Sequence, residues 1–117
     1  MHEMSYVVRF VNMAIEAAKE NKAVKVKRLL VSVGEMTDVL PEYLNRYYSL
    51  AVMGTILEGS VLETKAEPVR VLCTSCGKEY HPEKENGYAC PVCQGNAGKV
   101  VAGRDVVLEH VELETGG

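Results

Sequence analysis

Four cysteines stand in two pairs, Cys73-x-x-Cys76 and Cys90-x-x-Cys93, with residues 77–89 between them. Two thiolates three positions apart can grip one ion when the chain turns tightly between them. Two such knuckles facing each other make a closed tetrahedral shell, which suits Zn(II). Gly77, directly after the first pair, supplies one turn, and Pro91 restricts the backbone inside the second pair. The competing readings are two disulfides or a redox Cys-x-x-Cys. Disulfides fit a reducing compartment poorly, and a redox motif needs a single pair at the start of a helix. Four thiolates leave no position for water, so the ion expected at Cys73, Cys76, Cys90 and Cys93 is structural rather than catalytic.

The second constellation is the opening Met1-His2-Glu3. An amine, backbone amides and an imidazole can surround a metal in one plane, a geometry favoured by Ni(II) and Cu(II). The His2 ring, the His2 amide and the Met1 amine converge on one ion, and the Glu3 amide completes the plane. The Glu3 carboxylate then balances charge or accepts a hydrogen bond from the imidazole. A bulky second residue favours retention of Met1. A histidine beside a terminus is more often simply solvated, so the residues alone leave both readings open.

Other chemistry-bearing side chains have plainer expectations. His81, between the cysteine pairs, reads as a solvated loop residue, with zinc or nickel ligation as the minor alternative. Glu35 and Asp38 read as capping or solvated carboxylates in a strand–helix loop, from which they could approach an N-terminal metal. His110 reads as structural, and Tyr43, Tyr47 and Tyr48 as core or partner-facing positions on a helix. Lys25, Lys27 and Arg28 read as a wet strand face. No Ser-His-Asp or Cys-His set and no phosphate-binding glycine loop is present, so the chain is not expected to be an enzyme.

The elements that must position these groups follow from periodicity. Val7, Phe10, Val11, Ala14 and Ala18 recur at three- and four-residue steps and predict a helix from Met4 to about Asn21. The β-branched run Val24–Val33 predicts a strand stopped by Gly34. Pro41 opens a second helix that Gly54 is expected to cap. A second strand is expected over Val61–Ala66, ended by Pro68. Residues 73–103 then turn rich in Cys, Gly, Pro, Asn and Lys and too poor in large apolar residues to bury a core of their own. A structural zinc, contributing roughly 10–16 kcal/mol of apparent binding energy in small peptides, is expected to hold this stretch. Arg104–Leu113 is again strand-like and is expected to rejoin the sheet. The fold class is therefore α+β, a small mixed sheet with two helices carrying an inserted zinc ribbon. Residues 1–69 plus 104–117 are expected to form the first domain and 70–103 the ribbon.

The chain has 117 residues, and 13 basic against 16 acidic side chains leave a net charge of −3. That balance weighs against a protein that lives on phosphate backbones. No apolar run reaches the ~18 residues that cross a membrane, and the opening lacks the basic and apolar regions of a secretory signal. A cytoplasmic location is expected.

In this order and spacing the pieces resemble the HypA/HybF family of hydrogenase-maturation nickel metallochaperones over essentially the whole chain. The resemblance runs through Met1-His2-Glu3-Met4-Ser5, Val33-Gly34-Glu35, Pro41-Glu42, Gly54-Thr55, Glu58-Gly59, both cysteine pairs including Cys90-Pro91-x-Cys93, and Glu109-His110-Val111-Glu112. It implies Ni(II) as cargo at Met1, His2 and Glu3, and structural Zn(II) in the ribbon. It also implies delivery to the large subunit of a [NiFe]-hydrogenase together with a HypB-type GTPase. The charge balance and the lack of an apolar span leave nucleic acid and membrane off the expected partners, and a monomer or a dimer is expected. The family usually places glycine directly after the fourth cysteine. Here Gln94 precedes Gly95, so the second knuckle is expected either to turn differently or to use an adjusted backbone. The competing class is a zinc-ribbon module that binds protein or nucleic acid and carries no nickel.

Overall fold

The computed structural model describes residues 3–116; the expectations placed on Met1 and His2 lie outside the described residues. The helical repeat of the opening produces α1 (Glu3–Glu20), and Val7, Phe10, Val11, Ala14 and Ala18 are buried along it. The apolar run that follows forms β1 (Ala23–Gly34), buried only at Val26 and Leu29 over its first part and continuously over its last four residues. Pro41 takes the first position of α2 (Pro41–Ala51), where its missing N–H leaves no helical bond unmade. Leu44 and Tyr48, one turn apart, are the buried residues of α2. The helix closes at Val52 rather than at Gly54, which lies two residues on with φ +78°. After β2 (Val61–Glu67) come β3 (Arg70–Cys73), β4 (Glu79–Tyr80), β5 (Gly98–Ala102) and β6 (Val106–Thr115).

The chain divides into two compact units, the first drawn from Met1–Val33, Asp38–Lys65 and Val106–Gly117 and the second from Gly34–Thr37 and Ala66–Asp105. In the first, β1 is the middle strand of the order β2-β1-β6, with β6 antiparallel to it and Val33 opposite Val106. The last apolar strand thus returns to the first sheet. α1 packs on α2 and on β6. Val7, Val26, Leu29, Val31, Leu44 and Leu57 are sealed inside, each contributing about 1.5–3 kcal/mol by leaving water. The basic strand face is engaged locally: Lys27 Nζ lies 3.5 Å from Glu114, and Arg28 donates to Glu63 at 2.6 Å.

The second unit holds a sheet of order β4-β3-β5, antiparallel throughout. Composition does not foreshadow these three short strands. Their core is small: Val69, Val71, Cys73, Tyr80 and Cys90, with Val100 packed against it. Segment 34–37 belongs here rather than with the first unit, and so do residues 66–69 and 104–105. The reason lies in the main chain. Gly34 N–H donates to Asp105 O, Glu35 N–H to Glu67 O, and Met36 N–H to Gly103 O, at 2.9–3.0 Å. The strands crowd there, since a Cβ on Gly34 would lie 2.5 Å from Gly103 O and one on Gly103 2.6 Å from Val69 Cα. Gly103 also has φ +86°, a region that side chains disfavour.

Candidate metal centre

β3 delivers Cys73 as its last residue, and the chain turns back at once into β4. Gly77, at φ +77°, donates its N–H to Cys73 O at 2.8 Å. The second knuckle repeats this bond, since Gln94 N–H reaches Cys90 O at 2.8 Å. Gln94 does so at φ +62°, the left-handed conformation that the first knuckle assigns to glycine. Of the two expectations, a different turn is not seen: the path is the same, with the backbone adjusted at a residue that costs more to place there.

Folding the two knuckles together leaves all four sulfurs within 4.8 Å of one another. Cys73 Sγ lies 3.5 Å from Cys93 Sγ, and Cys76 Sγ lies 3.6 Å from Cys90 Sγ. A disulfide would need about 2.05 Å, and all four cysteines are free. Four sulfurs at about 2.3 Å from a central Zn(II) would stand about 3.8 Å apart. The donor set and spacing therefore fit structural zinc.

Burial and charge divide the four thiols alike. Cys73 and Cys90 are buried, while Cys76 and Cys93 are exposed. The Cys73 thiol is lowered to about 7, chiefly by the backbone N–H of Cys76, and Cys90 is lowered chiefly by that of Cys93. At Cys76 the Lys78 N–H pulls downward, but lost hydration and the neighbouring sulfurs outweigh it and push the thiol up to about 12. Cys93 is raised in the same way against the pull of the Gly95 N–H. Four negative sulfurs this close need a cation between them, which a dication supplies.

Glu35 and His81 are tied in ways their expected roles do not include. Glu35 neither caps a helix nor stands in solvent alone. Its Oε1 accepts the Val69 N–H at 2.8 Å and lies 2.8 Å from His81 Nε2. His81 is exposed, as a solvated loop residue would be, but it is also tied, because its Nδ1 meets Glu83 Oε1 at 2.9 Å. Asp38 is exposed, in keeping with one of its two readings, and is not the cap of α2. That position is Leu40, without a side-chain bond of its own, and its N–H donates to Glu3 Oε2 at 3.1 Å. Glu3 is buried in the first turn of α1, and the Leu40 N–H followed by its own N–H holds its carboxyl below the usual range. The sequence carries no local signal for these ties, since their partners stand 37 and 46 residues apart.

The family model for hydrogenase/urease nickel-incorporation metallochaperones, HypA, matches residues 1–113. The chain belongs to the HypA family. The HypA hydrogenase maturation factor of Wolinella succinogenes is 31% identical, with 97% of this chain and 96% of that protein covered. That of Aquifex aeolicus is 32% identical, with 97% and 98% covered. The solution structure of the Ni metallochaperone HypA from Helicobacter pylori is similar in fold, with a TM-score of 0.73 at 22% identity over 99% of this chain and all of that one. The chain is thus a nickel-incorporation metallochaperone of the HypA type, with a four-cysteine cluster that fits zinc. Among the described residues no helix is long and apolar enough to cross a membrane.

Proposed function

We propose that this HypA-family chain carries Ni(II) on Met1, His2 and Glu3 and passes it by ligand exchange to the large subunit of a [NiFe]-hydrogenase, in the cytoplasm and together with a HypB-type GTPase. Cys73, Cys76, Cys90 and Cys93 hold the structural Zn(II) in this reading. The observation that carries it is the HypA match, which begins at residue 1 and so includes the nitrogen-rich opening.

The division of labour at Glu3 follows from its geometry. Its Oε2 is engaged by the Leu40 N–H, so we assign nickel contact to its backbone amide and anchorage of the site to its carboxylate. A planar set of amine, amides and imidazole can be displaced one donor at a time, which suits cargo that must leave. Nucleotide turnover is assigned to the partner, and this chain has no catalytic step of its own.

The test is a nickel titration of untagged, zinc-loaded protein by calorimetry and d–d absorbance, with His2→Ala and a variant extended by two residues before Met1 alongside. The expected result is one Ni(II) with a planar, diamagnetic spectrum, lost in both variants while zinc stays at one per chain. Nickel binding unchanged in both variants removes Met1-His2-Glu3 from the mechanism. The family's description names urease as well as hydrogenase, so metal-free hydrogenase large subunit and urease apoprotein are then offered in parallel as recipients.

A further inference from the structure

A neutral imidazole has one N–H and one lone pair, so it can donate to one carboxylate at a time. His81 faces a carboxylate oxygen at each ring nitrogen, Glu35 at 2.8 Å and Glu83 at 2.9 Å. With both carboxylates ionised, both contacts are hydrogen bonds only when the ring is an imidazolium. The two anchors are unequal. Glu35 Oε1 is also fixed by the Val69 N–H, and its own N–H is tied to Glu67 O. Glu83 is 61% exposed and stands at the head of a single 3-10 turn, Lys84–Asn86. Its carbonyl accepts the N–H groups of Asn86 and Tyr88, so the placing of Glu83 sets the course of the loop that runs on to Cys90.

We propose that His81 is a proton-operated tie within the ribbon unit: protonated, it holds the 34–37 segment through Glu35 and the 83–88 loop through Glu83, and on losing its proton it keeps Glu35 and releases Glu83. Glu35 is retained because the Nε2–H tautomer still donates to an oxygen whose position the main chain fixes. Glu83 then faces a lone pair, which repels it, and water is at hand to rehydrate it. Two shallow hollows flank the ring. One, of about 330 Å³, is lined by Glu35, Glu67, Ala66, Pro68 and His81. The other, of about 180 Å³, is lined by His81, Glu83, Asn86, Ala89, Pro91 and Gln94. The charged groups facing the imidazole are therefore Glu35, Glu67 and Glu83, with the charge of Glu67 shared by Arg70 at 3.8 Å. Asn86 and Gln94 are neutral. Release of Glu83 alters the second hollow and leaves the first in place.

The sign of the pH dependence follows. Glu35 first and Glu83 second raise His81 above its ordinary value of 6.5. The tie is complete below about 6.5 and is lost as pH rises through the raised folded value. The experiment is an NMR titration of the His81 ring in zinc-loaded full-length protein. It is run beside hydrogen-exchange protection factors, corrected for the intrinsic pH dependence, at Val69, Asn86 and Tyr88. The variants are Glu35→Gln, Glu83→Gln and His81→Gln, with zinc measured in each.

The expected result is a His81 midpoint above 6.5 that falls in each Glu variant. Protection at Asn86 and Tyr88 should drop across that midpoint while Val69 stays protected, and the drop should vanish in His81→Gln with zinc still at one per chain. A midpoint at or below 6.5, or one untouched by Glu83→Gln, overturns the proposal. So does protection at Asn86 and Tyr88 that is flat across pH, or zinc loss that tracks the change.

Discussion

In the first unit the largest side chains sealed from water are Val7, Val26, Leu29, Val31, Leu44 and Leu57; in the second they are Cys73 and Cys90. One unit is held by apolar area, the other by sulfur chemistry that apolar area only supplements. The difference matters because the two failures are unlike. A methyl group lost from the first core weakens it by degrees. A thiol lost from the second removes a ligand, and with it the shell that joins two otherwise separate turns.

The largest effect that would break this comparison is expected at Cys73. Cys73→Ala should lose zinc and the exchange protection of residues 66–105, while α1 and β1 keep theirs. Stoichiometric zinc with native protection in that variant would show that the second unit stands without its sulfur shell. Next in size is Leu29→Ala in the middle strand, expected to cost about 2–5 kcal/mol, read as a shift in the urea midpoint followed by tryptophan-free far-UV signal. Zinc content should not move. Zinc lost in step with the fold would mean the two units do not fail separately. The smallest effect sharpens the picture: Gln94→Gly relieves a left-handed side-chain position and should stabilise the ribbon by about 0.5–1 kcal/mol, read as a higher chelator concentration for half removal of zinc. No gain would mean that the Gln94 side chain, whose Nε2 reaches Pro91 O at 3.4 Å, offsets the strain.

Legibility in the sequence followed range along the chain rather than the division between the units. The helical repeat of α1, the β-branched run of β1, and Pro41 at the head of α2 are local patterns, and the structure realises them within one to two residues. The return of the last strand to the first sheet was legible because an apolar strand cannot remain a tail. The cysteine cluster was legible because ligand spacing is a short-range signal. The ribbon's own strands were not, since Arg70–Cys73 and Gly98–Ala102 are too short and too mixed to show a period. The joining of segment 34–37 to the second unit was equally hidden. It rests on main-chain bonds and on two glycines whose closeness depends on residues far along the chain. The ties of Glu3 to Leu40 and of Glu35 to His81 belong to the same class: each is a contact across dozens of residues, and no local pattern encodes it.

The four cysteines also give the cluster an inside and an outside. Cys73 and Cys90 are shut into the ribbon's core, and Cys76 and Cys93 stand at its surface. A competing chelator, an oxidant or a foreign thiolate therefore meets the second cysteine of each knuckle first. With zinc bound, exchange would open at Cys76 and Cys93 like a hinged door, while Cys73 and Cys90, shut into the core, would remain the fixed posts that mark the place of the ion.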